Sequence, residues 1–123
     1  MNLQQIKKVM RKYGKAWEKQ DSNLLLECFT KDGIYQEGPL TKPYRGHAEI
    51  KKFWERVVKK ETKDIRFKLG KCYLSHDGKT GFTEWKCKNK HNKEKHHMFD
   101  IMILKMKRDK ISYLNEYWNT KIN

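Results

Sequence analysis

The chain has 123 residues, of which 37% are hydrophobic and 12% aromatic, enough for one packed domain over residues 1–123 but too few for two cores. Its net charge of +14 comes from 24 lysines and only five arginines spread over every segment, which reads as a solvated surface, so specific nucleic-acid recognition is not expected. No apolar run nears the ~20 residues that cross a bilayer, and MNLQQIKKVMRKYG lacks the features of a signal peptide, so a cytoplasmic protein with no membrane partner is expected.

Leu3, Ile6, Met10, Tyr13 and Trp17 recur in steps of three and four, which predicts an amphipathic helix ending near Lys19-Gln20. Asp21-Ser22 then caps a shorter helix that buries Leu25, Leu26 and Phe29. Lys31-Asp32-Gly33 has turn chemistry, and residues 34–37 read as a short strand. Gly38, Pro39 and Pro43 break up a loop before Gly46 opens a third helix, in which Ile50, Phe53, Trp54, Val57 and Val58 form the apolar stripe.

From Asp64 onward the period changes to two. Strands are expected over 65–76, 79–88, 96–106 and 111–118, as an antiparallel meander with the helices on one side. A two-residue Asp77-Gly78 turn would pair His76 with Lys79, Cys72 with Thr83 and Lys68 with Cys87, so no cross-strand disulfide is expected. On the third of these strands Met98, Met102 and Leu104 share one face and Phe99, Ile101 and Ile103 the other. Both faces are apolar, and a second copy of the chain is the economical cover for the one that the helices do not meet.

Three stretches carry a family resemblance. Residues 13–35 (YGKAWEKQDSNLLLECFTKDGIY), residues 43–54 (PYRGHAEIKKFW) and the closing NEYWN resemble the SnoaL-like branch of the nuclear transport factor 2-like superfamily. The resemblance implies an α+β fold of the cystatin-like type: a cone-shaped barrel, often dimeric, with an internal pocket. It transfers function poorly, because the superfamily spans enzymes, transport factors and binding domains.

Set beside the ketosteroid isomerases of that superfamily, Tyr13 stands for an oxyanion-hole phenol, Glu37 for the general base and Asp100 for a second oxyanion-hole acid. A carboxylate in an apolar cavity has a raised pKa and can move a proton near neutrality, while a phenol and a neutral acid can stabilise an enolate. The sequence speaks for Asp100 on its own account, since it interrupts an apolar face between Met98 and Met102. Trp17, Tyr35, Tyr44, Trp54, Met98, Met102 and Trp118 are the expected pocket walls, and Glu84 and Lys86 share a strand face opposite Trp85 and Cys87.

His91, His96 and His97 lack metal-site spacing, and neighbouring residues on a strand face opposite ways, so no metal is expected. Phosphate-cradling glycine loops and a nucleophile elbow are missing from the sequence, so no cofactor is expected either. The leading expectation is a protein that binds a small, mostly apolar ligand, with cofactor-free isomerase, dehydratase or hydrolase chemistry. The alternatives are a non-catalytic binding or dimerisation module and a basic interaction domain for nucleic acid or acidic protein.

Overall fold

The computed structural model describes residues 1–122. Helix α1 (Leu3–Lys19) opens on a capping box, in which the Asn2 side chain accepts from the Gln5 amide and the Gln5 side chain accepts from that of Asn2. It turns off at Gln20, whose left-handed backbone (φ 52°) redirects the chain. The Gln20 side-chain amide donates to the carbonyls of Val58 (2.7 Å) and Thr62 (2.6 Å), tying the end of α1 to a distant segment. Helix α2 (Ser22–Glu27) is capped by Asp21, which accepts from the Leu24 amide.

Strand β1 (Phe29–Gln36) starts earlier than the sequence suggests. Phe29 is not the end of α2, because the Ile111 amide donates to the Cys28 carbonyl (2.7 Å) and draws this stretch onto the last strand. The expected turn at Lys31-Asp32-Gly33 survives as a register shift between Phe29 and Ile34. A two-residue strand, β2 (Tyr44–Arg45), pairs with Ile34 and Tyr35 inside the segment expected to be a loop. Helix α3 (Gly46–Trp54) runs into a wide π-helical turn, Glu55–Lys60. Here the carbonyl of Val57 is met by Thr62 Oγ1 (2.8 Å) and that of Val58 by Gln20.

Strands β3 (Thr62–Leu74), β4 (Gly81–His91), β5 (Glu94–Lys107) and β6 (Lys110–Ile122) form the antiparallel meander. The full order is β2-β1-β6-β5-β4-β3, with β1 parallel to β6. The sheet is therefore mixed rather than wholly antiparallel. A parallel pair needs a long crossover, and everything from β2 to β5 supplies it.

The hairpin at Asp77-Gly78 is wider than two residues. Ser75 N–H donates to the Thr80 carbonyl, Gly78 N–H donates to the Ser75 carbonyl, and the Asp77 carboxylate accepts from Ser75 Oγ and the Lys79 amide. His76 and Lys79 are thus spent in the turn, yet Cys72 still faces Thr83. A bulge between Leu69 and Cys72 then moves the register by one, placing Phe67 rather than Lys68 opposite Cys87. Gly70 sits in that bulge, where a Cβ would come within 3.0 Å of the Glu84 carbonyl oxygen.

The core lies between the helices and the inner sheet face. Tyr13, Trp17, Trp54 and Trp85 are buried there together, with Trp17 packed edge-on to Trp54 at 5.9 Å and Phe67 stacked on Trp85 at 5.0 Å. Each large side chain removed from water contributes about 1.5–3 kcal/mol. Met102 and Leu104 face this core, while Phe99 and Ile101 emerge on the outer face, 37% and 40% exposed. Among the described residues no helix is long and apolar enough to cross a membrane.

Candidate functional site: an acid-walled cavity in the cone

A cavity of about 420 Å³ opens between α1, the π-helical turn and the C-terminal halves of β4 and β6. Its apolar wall includes Trp17, Tyr35, Phe53, Met98 and Trp118, and its acidic wall is Glu37 and Glu116. No lysine or arginine among the described residues lines it, although the chain carries 29 of them. Such a volume and lining suit a small organic molecule.

Glu116 is the centre of the polar network. Period-two geometry on β6 sends Leu114, Glu116 and Trp118 inward, and Glu116 is 5% exposed. The Tyr13 hydroxyl (2.8 Å) and the Tyr35 hydroxyl (2.9 Å) both donate to Glu116 Oε1. Among the described residues nothing bonds Oε2, which is not among the fully buried unpaired atoms. Burial raises the carboxyl pKa, and the two phenols hold it back by stabilising the anion. Burial first and the neighbouring Glu116 second push both phenols well above the usual tyrosine value, so they remain donors.

Asp100 lies behind this wall with no exposed surface. Trp85 on β4 and Trp118 on β6 are its cross-strand neighbours. Among the described residues no side chain bonds either carboxyl oxygen. Burial, and then the charge of Glu116, raise its pKa strongly, opposed only by the backbone amide dipole of Tyr117. An acid so placed is held neutral near pH 7.

Glu37 follows the end of β1 and is half-buried at the wall. Burial raises its pKa, and the charge of Arg56 lowers it. Its carbonyl accepts from Trp118 Nε1 (3.0 Å), which holds the end of β1 against β6.

Of the residues expected at the pocket, Trp17, Tyr35, Glu37, Met98 and Trp118 reach the cavity. Tyr13 and Asp100 do not line it: Tyr13 spends its hydroxyl on Glu116, and Asp100 is screened by its two tryptophan neighbours. Trp54 and Met102 are fully buried in the core, and Tyr44 stacks on Phe53 (4.2 Å) beside a separate surface groove. Trp85 and Cys87 point inward, whereas Glu84 and Lys86 point outward, Glu84 accepting from the Tyr73 hydroxyl (2.8 Å).

Glu116, in the NEYWN stretch, is not among the expected site residues. An acid alternating with Leu114 and Trp118 gives the same signal as Asp100 between Met98 and Met102. His91 and His96 also line the cavity, with ring centroids 5.6 Å apart. Among the described residues no three metal-ligating side chains converge.

Comparison with known proteins agrees with this architecture. The SnoaL-like domain profile matches residues 10–114, and no curated protein matches the sequence. The fold is similar to that of SalBIII, an epoxide hydrolase/cyclase-like enzyme described in pyran ring formation in the polyether salinomycin. That match has 14% identity and a TM-score of 0.82 and covers 98% of this chain and 97% of that one. A hypothetical protein with a ketosteroid isomerase-like fold from Catenulispora acidiphila, solved with trimethylamine, has 16% identity and a TM-score of 0.76 over 89% and 83% of the two chains. An M. tuberculosis LEH-like epoxide hydrolase has 12% identity and a TM-score of 0.73 over 91% and 80%. With a family profile covering residues 10–114, the chain belongs to the SnoaL-like domain family.

Proposed function

We propose that this SnoaL-like domain binds a compact, mostly apolar organic molecule in the cone and moves a proton on it without a cofactor, in an isomerase-, dehydratase- or hydrolase-type reaction. One observation carries the reading: a buried carboxylate at the cavity wall has one oxygen fixed by two phenols and the other left open. Ionised Glu116 can take a proton through Oε2 and return it at a second position. Tyr13 and Tyr35 position Glu116. Glu37 is a second acid at the same wall, and Asp100, held neutral, supports from behind.

Native mass spectrometry of freshly purified protein tests this. A retained small-molecule adduct is expected, lost when Thr120→Trp fills the cavity. Glu116→Gln should keep the adduct and lose its turnover. An adduct indifferent to Thr120→Trp, or no adduct at all, contradicts the reading.

A second reading, non-catalytic capture of an organic amine, is favoured by the two glutamates and aromatic rings at a wall without cations. Turnover that depends on Glu116 separates the two. A homodimer through the apolar half of the outer sheet face, around Phe82, Ile101, Ile103 and Tyr117, is part of the proposal, because Ile101 and Tyr117 are 40% and 43% exposed beside one another.

A further inference from the structure

The outer sheet face gathers charge that the sequence spreads along the chain. Arg66 on β3, Lys88 on β4, His97 on β5 and Lys121 on β6 are direct cross-strand neighbours in a single row. The adjoining row on one side is Lys68, Lys86, Phe99 and Asn119. On the other side Lys63, Lys90 and Lys95 face one another. All of these lysines, Arg66 and His97 are exposed.

Strands ~4.8 Å apart and rows ~6.7 Å apart place these eight cations within a patch roughly 15 Å across. Like charges directly opposite on neighbouring strands repel and destabilise the sheet. Among the described residues a single ion pair relieves the patch, Lys90 Nζ to Asp64 Oδ2 at 3.6 Å. The face stands ready for an external polyanion.

We propose that it binds a single strand of nucleic acid, independently of sequence. Lysine ammonium groups neutralise phosphates as point charges, without the bidentate geometry by which arginine reads guanine. The rings of His97 and Phe99, set among the lysines and lying outside the Ile101–Tyr117 row through which the dimer is proposed to form, offer the flat surfaces on which unpaired bases stack. An acidic protein would satisfy the lysines but has no use for the rings. The cavity lies on the opposite face of the sheet, so the two sites act separately.

The test is fluorescence anisotropy of a labelled oligothymidylate with the full chain, titrated from about 50 to about 300 mM salt. Log affinity should fall linearly with log salt, by about 0.7 per phosphate contact. Lys86→Gln/Lys88→Gln/Lys121→Gln should weaken binding by ~10-fold or more and flatten that slope by roughly 2. The same triple change should raise Tm by removing repulsion, so lost binding cannot be unfolding. Lys8→Gln/Lys15→Gln/Lys19→Gln on the exposed side of α1 removes equal charge and should change affinity less than about twofold. Equal losses in both triples would mean diffuse charge and overturn the proposal. So would no binding at the lowest salt. Polyglutamate displacing the oligonucleotide at equal charge concentration would reassign the face to an acidic protein and also overturn it.

Discussion

Asp100 and Glu116 are diagonal neighbours on the inner sheet face: Asp100 pairs with Trp118, two residues beyond Glu116, and Glu116 pairs with Met102, two residues beyond Asp100. Two buried acids with no cation between them cannot both ionise at modest cost. The phenols of Tyr13 and Tyr35 break the tie, since both serve Glu116 and neither serves Asp100. Glu116 is therefore the acid that ionises first, and it is the one at the cavity wall.

Asp100→Asn should stabilise the protein in a pH-dependent way. The native pKa of Asp100 is raised above its unfolded value of about 3.9. Between those values the native state holds a proton that the unfolded state has released, so this group's contribution is full below about pH 4 and declines as pH rises. The variant escapes that decline. Chemical denaturation should show little difference near pH 4 and a gain of at least ~1 kcal/mol for the variant by pH 8.

Tyr13→Phe removes one of two donors to the Glu116 carboxylate while keeping the ring in the core. Glu116 should titrate at higher pH than in the wild type, because the lost bond favoured the ionised form. The stability cost should be about 1–2 kcal/mol at alkaline pH, where the carboxylate is charged, and smaller at pH 5. Denaturation at the two pH values checks this. An equal cost at both would mean that the hydroxyl matters only for packing.

Gly14→Ala should destabilise the core by about 1–3 kcal/mol. A Cβ there would clash with the Phe67 ring, and that ring is stacked on Trp85. Thermal unfolding measures the loss, and a compensating Phe67→Leu should recover part of it.

How much of this was legible depends on the range of the interaction. The α1 stripe, the third helix and the meander announce themselves through local periodicity, as do the opposite faces of Met98 and Phe99. The parallel pairing of β1 with β6 does not, because its partner lies some 80 residues away and no local signal names it. Nor does the one-residue shift at Gly70, which decides what faces Cys87. Glu116 carries the same local signal as Asp100, but its meeting with the hydroxyls of Tyr13 and Tyr35 is long-range, and only the fold shows it. The basic rows on the outer face became visible only once four strands were in register.

Ile101→Lys should separate the dimer without disturbing the cavity, because its side chain points to the outer face. Sedimentation across micromolar concentrations is expected to give a dimer for the wild type and a monomer for the variant. A monomeric wild type would sink the apolar-face interface.

In this reading Glu116 is a cavity-wall acid poised to exchange a proton near neutrality. Carboxyl-carbon NMR titration of the free protein, with Glu116→Gln to assign the signal, tests it most directly. One glutamate resonance, absent in the variant, should titrate well above the ordinary value of about 4.3. A Glu116 signal that titrates at or below that value would contradict it.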